Sequence, residues 1–316
     1  MNKRVYGVLG IVSRMSNWNA DFTGYPKTTS SGDVFGSDKA FKYPMKKMWE
    51  QQGEKVLYIK SLRFQEGKKG EIELLPRSLK ERYEYIFNEE DLKKNKDSKK
   101  VLTNLFSAID VKNFGATFAE EGNNISITGA VQIGQGFNKY DETNAEEQQI
   151  LSPFRDASKK DGKKEDEEAK SSTLGTKIVS DEAHYFYPFT INPSVYNQFK
   201  ELGVTDGYTE DDYKKFKEAA LVAATSFSTN SKIGCENEFA LFVETEPDLY
   251  LPDLSQYVDF EKGEDKNIII LKCNDMLNKL KDRIKNIEIY YNPYTTTIQS
   301  DIEKAKKFNI FTKEEV

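Results

Sequence analysis

The N-terminal part of the chain alternates between strand and helix signals, and this alternation limits the fold more than any other feature. The β-branched run at 5–12 is bounded by polar residues, which is typical of a buried strand. An amphipathic segment from about 37 to 52 predicts a helix, and residues 55–60 predict a second strand. The order along the chain is therefore strand, helix, strand.

A second pass of the same kind occurs in the second half of the chain. Strand signals run from 174 to 189, and a helix is predicted from about 211 to 227, with Thr209 and Asp212 forming a capping-box variant. The run at 239–243 predicts the next strand. Two such passes, each lengthened by an insertion, predict an α+β fold with a ferredoxin-like core of the kind used by RNA-recognition (RRM-like) modules.

Two charged segments interrupt these passes and predict projections from the core. Residues 63–100 are rich in lysine and glutamate, and residues 134–172 carry no strong core signal. Within the second segment, 155–170 holds six basic and six acidic residues, which predicts a hairpin or a flexible arm in solvent. The remaining elements are predicted as helices at 79–87, 101–109 and 276–285 and as strands at 125–133, 267–271 and 287–290.

The helix predicted at 37–52 separates lysines from apolar side chains. At about 100° per residue, Lys39, Lys42 and Lys46 fall on one stripe. The opposite stripe is apolar and consists of Phe41, Met45, Met48 and Trp49. The lysine stripe could hold an external anion such as a row of phosphates. An ordinary amphipathic surface helix is the alternative interpretation.

Two features of the sequence bear on where this helix begins. Ser37 or Asp38 is expected to cap the start by accepting hydrogen bonds from free backbone N–H groups. Pro44 lies inside the segment and lacks a backbone N–H, so it predicts a kink or a late start of the helix.

The charge is distributed unevenly along the 316 residues. The net charge of −6 by itself argues against a nucleic-acid partner, because phosphate binding usually leaves a basic surface. Residues 1–112, however, hold 22 Lys and Arg against 15 Asp and Glu, whereas residues 113–316 hold 24 against 37. This division suits a subunit that holds a polyanion on one surface and meets partners with another. Charge that serves only solubility is the alternative.

The composition argues against several classes of protein. No apolar run approaches the roughly 18 residues of a membrane span, and the N-terminus lacks a signal-peptide cleavage motif, so we expect a cytoplasmic protein. Cys235, Cys273 and the single His184 are too few for a disulfide framework or an ordinary zinc site. We therefore expect no metal and no cofactor, and we expect His184 to be a core residue of a sheet.

Four stretches of the sequence carry a family resemblance. They are the first strand with its loop (7–21), the segment 37–42, the strand 127–134, and 174–177 with the aromatic strand after it. In this order and spacing they resemble the Cas7 family, the crRNA-binding backbone subunits of CRISPR surveillance complexes. The resemblance is greatest to the type I-B branch known as Csh2 and covers roughly residues 4–245. It implies a non-catalytic subunit of the type I complex called Cascade.

The resemblance implies a hand-like subunit. Its RRM-like palm would comprise 1–62, 112–134 and 173–316, its fingers insertion 63–111 and its thumb hairpin 135–172. Copies would stack head to tail along the crRNA, each thumb reaching over the strand bound by its neighbour. The exposed bases would pair with target DNA. The implied partners are crRNA, target DNA, further copies of the chain, and the other Cascade subunits, namely Cas5, Cas6, Cas8 and the small subunit.

The resemblance also implies which residues hold the RNA backbone. Because a spacer varies in sequence, the protein must bind the backbone and shape of the strand, not base edges. Lys42 and Lys46, with Lys39 nearby, would bind phosphates as point charges. Ser37 and Asn17 would form hydrogen bonds with phosphate or with the 2′-OH.

Glycines and aromatic residues complete the implied site. Gly134, Gln135 and Gly136, at the base of the thumb, would let backbone approach the strand closely, and Phe137 or Trp18 would stack on a base. The full implied set is Arg14, Asn17, Trp18, Ser37, Lys39, Lys42, Lys46, Gly134, Gln135, Gly136, Phe137 and Lys177. No catalytic residue is implied.

Two alternative functions stay open. Backbone subunits of type III complexes resemble this fold and cleave target RNA in a metal-dependent reaction with a loop aspartate. Asp21 and Asp33 lie in the corresponding loop, although either also fits a turn or a cap. The other alternative, which uses no resemblance, is an acidic interaction protein without a nucleic-acid role. Such a protein would show no salt-dependent binding of nucleic acid.

Overall fold

The computed structural model describes residues 1–67, 70–94, 97–151 and 173–316 and shows a mixed α/β protein. Its strands are β1 (Arg4–Ser16), β2 (Phe35–Gly36), β3 (Leu62–Glu66), β4 (Ile72–Pro76), β5 (Gly115–Phe118), β6 (Ile125–Thr128), β7 (Val131–Ile133), β8 (Gly136–Asn138), β9 (Ala145–Leu151), β10 (Thr173–Ile191), β11 (Cys235–Thr245), β12 (Val258–Glu261), β13 (Asn267–Leu271), β14 (Ile284–Tyr291), β15 (Thr296–Gln299) and β16 (Lys306–Asn309). Its helices are α1 (Asp38–Gln51), α2 (Leu79–Phe87), α3 (Ser98–Ser107), α4 (Ile109–Phe114), α5 (Asn197–Glu201), α6 (Glu210–Ser226) and α7 (Asn274–Lys279). The solvent arm predicted at 155–170 lies outside the described residues.

One large sheet organises the described part of the chain, with β1 near its centre. Its strands follow the order β16-β14-β11-β1-β10-β8-β2, and β7 and β9 also pair with β10. β1 pairs antiparallel with β10 on one side and with β11 on the other, whereas β16 joins β14 in parallel. The sheet is therefore mixed, with an antiparallel centre. Within the described residues, no helix is both long and apolar enough to cross a membrane.

Both faces of β1 are buried, because successive side chains of a strand point to opposite faces. Val5, Leu9 and Ile11 belong to an apolar cluster that includes residues of α1 and α6, two helices in contact with each other. Tyr6 and Val8 belong to a second cluster with the smaller sheet formed by β12, β13 and β15. The large sheet thus lies between a layer of helices and a C-terminal sheet.

The aromatic run on β10 packs inside the protein. Its members with at most 2% exposure are Tyr185, Phe186, Tyr187 and Phe189. His184 on the same strand is fully buried and stacks on Phe260 of β12, with ring centroids 3.8 Å apart. The prediction of a core histidine is confirmed, and the aromatic run has no surface on which a base could stack.

Helix boundaries set by local capping agree with prediction. α2 covers the predicted residues, and Thr209 and Asp212 form the predicted capping box of α6. Ser37 caps α1, because its side chain accepts a hydrogen bond from the backbone N–H of Ala40. A late start caused by Pro44 is not observed: the helix begins at Asp38 and continues through this buried proline.

The strand predicted at 55–60 is wrong, because a buried carboxylate takes the backbone donors that a strand would need. The two carboxylate oxygens of Asp110 accept hydrogen bonds from Leu57 N and Tyr58 N, each at 2.8 Å. Val56, Leu57 and Ile59 are nevertheless buried. The apolar residues at 55–60 are therefore buried in an irregular segment, and they do not belong to a sheet.

The strand predicted at 125–133 divides at Gly129. β6 pairs with β5, whereas β7 pairs with β10. A Cβ atom at Gly129 would lie 2.2 Å from the carbonyl carbon of Phe114, so the two backbones approach as closely as only glycine permits. The helix predicted at 276–285 is also shorter than expected, since α7 ends at Lys279 and β14 begins at Ile284.

Candidate nucleic-acid interface

The loop between β1 and α1 is fixed to the base of the two-stranded ribbon formed by β9 and the first half of β10. The side-chain amide of Asn17 donates to the carbonyl oxygens of Gly24 at 2.9 Å and Ile178 at 3.2 Å. Tyr25 in the same loop is hydrogen-bonded to Glu147 of β9. Both N–H groups of the Asn17 amide are therefore used within the chain, so the predicted hydrogen bond to RNA would have to be accepted by its side-chain oxygen.

Trp18 lies inside the protein. Its side chain is 1% exposed, and its Nε1 donates to the hydroxyl of Tyr187 at 2.5 Å. Lys232 covers the indole from the other side, with Nζ 5.5 Å from the ring and donating to the carbonyl of Asn17 at 2.6 Å. Burial lowers the pKa of Lys232. The predicted stacking of Trp18 on a base is wrong because the ring shapes the loop from within.

The first lysines of α1 have different surroundings. Lys39 is exposed and has no ion-pair partner among the described residues. Lys42 Nζ lies 2.8 Å from Asp38 Oδ2, one turn earlier, and 5.1 Å from the centre of the Phe114 ring. Lys39 therefore presents a free ammonium group, whereas that of Lys42 is already neutralised.

Lys46, the third lysine of the stripe, is held by the interior. Its Nζ lies 3.7 Å from Oδ2 of the buried Asp110 and donates to the carbonyl of Tyr58 at 3.2 Å. Burial lowers the pKa of Lys46, although the charge of Asp110 opposes this shift. The stripe exists as predicted, but the interpretation of its lysines as a row of free cations is wrong, because two of the three pair within the chain.

Gly134 and Gly136 accommodate side chains of the second half of β10. A Cβ atom at Gly136 would lie 2.3 Å from the ring of Tyr187, and one at Gly134 would lie 2.8 Å from Pro188 Cγ. Contact with β10 thus explains both glycines, and no open path for RNA is needed to account for them. Gln135 between them is exposed.

Phe137 is an exposed ring that lies next to Phe35. β8 pairs with β2 so that Phe137 lies opposite Phe35, with ring centroids 5.9 Å apart, and Phe137 is 40% exposed. Lys27 Nζ lies 5.6 Å from the Phe35 ring, and α1 with Lys39 begins directly after β2. We call Lys27, Phe35, Lys39 and Phe137 the front patch. Neither of its lysines has an ion-pair partner among the described residues.

Three other predicted residues lie on different elements: Ser37 at the start of α1, Arg14 on β1 and Lys177 on β10. Ser37 Oγ accepts from Ala40 N at 3.3 Å, which leaves its own O–H free to donate. Arg14 Nε lies 3.3 Å from Glu182 Oε1, and the Arg14 side chain is 41% exposed. Lys177 is half-buried on β10. The RNA contacts predicted for these three side chains stay predictions.

Sequence reasoning missed two residues of this region. Lys27 is the only basic residue between Arg14 and Lys39, and this isolation within a Gly/Ser/Thr-rich loop was the available signal. Phe22 is 99% exposed near the tip of the same loop, a placement that no sequence pattern indicates.

Both loop aspartates serve turns of their own loop. Asp21 Oδ1 accepts hydrogen bonds from the N–H and the hydroxyl of Thr23, and the hydroxyl bond is the main cause of its lowered pKa. Asp33 Oδ2 accepts from the hydroxyl of Ser31 at 2.6 Å, which lowers the pKa of Asp33 in the same way. The turn role that sequence allowed for each aspartate agrees with these bonds.

Comparison with known proteins identifies the class and then the family. Residues 3–285 match the profile of a family of CRISPR-associated proteins, described as "CRISPR-associated protein Cas7". The chain therefore belongs to the Cas7 family. No curated protein matches it.

Solved structures resemble the chain at low sequence identity. A chain of a "CRISPR RNA-guided surveillance complex, pre-nicking" is 12% identical, with a TM-score of 0.55 over 97% of this chain and 96% of that one. A chain of a "CRISPR RNA-guided surveillance complex" is 13% identical, with a TM-score of 0.43 over 94% of each chain. The first comparison shows a shared fold along nearly the whole length.

Proposed function

We propose that the chain is a non-catalytic backbone subunit of Cascade, of the type I-B, Csh2-like branch. It would bind the sugar-phosphate backbone of the crRNA spacer, assemble head to tail along it and present the bases for pairing with target DNA. Membership of the Cas7 family over residues 3–285 carries the proposal. The fold shared with a chain of an RNA-guided surveillance complex supports it. Cas5, Cas6, Cas8 and the small subunit would be its further partners, in the cytoplasm.

The strand topology supports an RRM-like palm. β11, β1, β10 and β7 are antiparallel neighbours in this order, and along the chain they occur as β1, α1, β7, β10, α6, β11. This is the β-α-β-β-α-β order of ferredoxin-like folds. We infer a palm at 1–62, 112–134 and 173–316, fingers at 63–111 that include the β3–β4 hairpin, and a thumb at 135–172 that includes β9.

The front patch has the properties that sequence-independent binding of a strand requires. Cations hold phosphates without reading bases, and an exposed aromatic ring can stack on any base. Lys27 and Lys39 supply the unpaired cations, and Phe137 supplies the ring. Lys42 and Lys46 would contribute to the positive potential near the strand, but direct contact with a phosphate would compete with their own carboxylates.

The double variant Lys27→Glu/Lys39→Glu is expected to lose the small RNA that copurifies with the protein. Reversing two unpaired cations removes phosphate contacts and adds repulsion, so binding to a 30-nucleotide single-stranded RNA should weaken by at least about tenfold, with a shallower salt dependence. Lys214→Glu is the matched control, because Lys214 is an exposed lysine on α6. Unchanged circular dichroism with retained RNA in the double variant would contradict the front-patch assignment.

The assembled complex is expected to leave complementary RNA intact in the presence of Mg²⁺ or Mn²⁺. The carboxylates of Asp21 and Asp33 are hydrogen-bonded within their turns, which is a structural use of both groups. The measurement is gel analysis of labelled target RNA incubated with the complex. Cleavage that disappears in Asp33→Ala or Asp21→Ala would instead support the metal-dependent, type III-like alternative.

A further inference from the structure

A basic cleft lies at the end of the large sheet opposite to the front patch. β1 runs from Arg4 towards the loop that precedes α1. Arg4 pairs with Thr245 of β11, and Thr245 pairs with Ile284 of β14, so Ile284 lies at the end of the sheet opposite to that loop. A cavity of about 220 Å³ opens there. We call it the C-terminal cleft. Its lining includes the aliphatic residues Leu277, Ile284 and Ile287 and the charged residues Lys281, Lys285, Glu303, Lys304 and Lys306.

The cleft is basic although the part of the chain that forms it is acidic. Four lysines line it against a single glutamate, although residues 113–316 hold 24 Lys and Arg against 37 Asp and Glu. A local excess of one sign of charge in a cleft with apolar walls focuses the electrostatic potential. The cleft is therefore suited to an anionic ligand.

The walls of the cleft are held in place by polar contacts between segments distant in sequence. Asn278 Nδ2 donates to the carbonyl of Asp301 at 3.0 Å, and Glu303 N donates to Asn278 Oδ1 at 2.9 Å. Lys281 Nζ lies 2.9 Å from Glu303 Oε2. These contacts fix the segment before β16 against α7, so the cleft is formed before any ligand arrives.

Two of the four lysines are available to a ligand. Lys304 and Lys306 are exposed, and neither has an ion-pair partner in the part of the chain that the structure describes. Lys304 also has a left-handed backbone with φ of +61°, a conformation that glycine or asparagine adopts more easily than lysine. The chain thus has a lysine at a strained backbone position beside the cleft.

We propose that the C-terminal cleft binds phosphate groups of a nucleic-acid strand, at a site separate from the front patch. Lysine ammonium groups bind phosphates as point charges, and the aliphatic lining offers no ring for stacking, so binding would not depend on sequence. The choice of phosphate rests on the proposed function, because strands would then pass every copy of the subunit. Lys304 and Lys306 lie beyond the residues 3–285 that match the family.

The test uses the full chain, freed of nucleic acid, in the Lys27→Glu/Lys39→Glu background, so that the front patch does not contribute. Binding of fluorescein-labelled single-stranded dT30 is measured at several salt concentrations. Adding Lys304→Glu and Lys306→Glu is expected to weaken binding by at least about tenfold. It should also reduce the slope of log K against log salt by about 1.4, at roughly 0.7 for each lost phosphate contact. Lys214→Glu in the same background should change neither quantity.

Lys304→Gly separates a binding role from a structural one. This change removes the left-handed strain together with the charge, so the melting temperature should rise while dT30 binding weakens. Unchanged affinity in Lys304→Gly and in the variant with Lys304→Glu and Lys306→Glu would overturn the proposal. Displacement of dT30 by a decaglutamate peptide at a lower concentration than by unlabelled dT10 would also overturn it. Copurification of crRNA with the otherwise unchanged chain tests the proposed function separately, because it depends on the front patch.

Discussion

The Asp110→Ala variant is expected to lower the free energy of unfolding by about 3–5 kcal/mol. The carboxylate is buried, accepts the N–H groups of Leu57 and Tyr58 at 2.8 Å each, and lies 3.7 Å from Lys46 Nζ. Its removal leaves two backbone donors without their acceptor and a largely buried ammonium group without its counter-charge. Urea denaturation followed by far-ultraviolet circular dichroism measures the loss.

Two further variants give this prediction its controls. Asp110→Asn keeps the shape and one carbonyl acceptor but loses the charge, so we expect an intermediate loss. Asp141→Ala removes an exposed aspartate and should stay within about 0.5 kcal/mol of the parent protein. An Asp110→Ala protein as stable as Asp141→Ala would show that the segment at 55–60 does not depend on this carboxylate.

The role of Asp110 affects how the loss of RNA binding in lysine variants of α1 is interpreted. Lys46→Glu would place a second carboxylate beside a buried one, so loss of RNA in that variant could follow from a damaged fold. Lys39 is exposed and unpaired among the described residues, so its reversal perturbs only the surface. The front-patch lysines are therefore the better probes of RNA binding.

The elements that sequence predicted well are those set by short-range patterns. β1 and β11 follow from apolar runs, α2 follows from periodicity, and α6 follows from periodicity joined to the cap at Thr209. Each of these patterns lies within a few residues of the element that it defines. Local propensity and tertiary packing favour the same structure in these four elements, so a single sequence is enough to predict them.

The features that sequence missed depend on partners far along the chain. The segment at 55–60 has strand composition, but the carboxylate that takes its donors is about 50 residues away. Trp18 is buried by Tyr187, at a separation of 169 residues, and by Lys232. Periodicity places a side chain on a face of its own element, but it does not reveal what covers that face.

The residues of the candidate site likewise include some that short-range patterns predicted and some that only the fold brings together. The lysine stripe of α1 follows from helical geometry, whereas the pairing of Lys46 with Asp110 required the fold. Phe137 was predicted as a stacking residue and is exposed. Its neighbour Phe35 is placed beside it only by the pairing of β2 with β8, and Lys27 lies over Phe35 through the fold of the loop between β1 and α1. Sequence therefore named part of the surface and misjudged which of its charges are free.

Replacing His184 by alanine is the second change expected to have a large effect, again about 3–5 kcal/mol of the free energy of unfolding. The imidazole is fully buried, with Nδ1 2.9 Å from Glu238 Oε2 and Nε2 3.1 Å from Glu182 Oε1. Without it, the 4%-exposed Glu238 keeps a charge with no counter-charge. The double variant His184→Phe/Glu238→Leu removes both charges and should cost less than His184→Ala alone. A double variant less stable than His184→Ala would contradict this account.

The cluster of His184, Glu182 and Glu238 also predicts how the free energy of unfolding depends on pH. Burial alone lowers the pKa of His184, but Glu238 and Glu182 outweigh it and raise the pKa above its ordinary value. The hydrogen bond from His184, together with Lys262, lowers the pKa of Glu182 to about 2.

A histidine with a raised folded-state pKa stabilises fully below its unfolded pKa of about 6.5, and this stabilisation is lost as the pH rises through the folded value. The contribution of Glu182 is present above its unfolded pKa of about 4.3 and is lost as the pH falls towards 2. We therefore expect the group to contribute most between about pH 4.5 and 6.5 and progressively less above this range. Urea denaturation at a series of pH values should show that decline in the parent protein and a flatter profile in His184→Phe/Glu238→Leu. Equal slopes in the two proteins would contradict this account, because His184 and Glu238 would then contribute nothing to the pH dependence of stability.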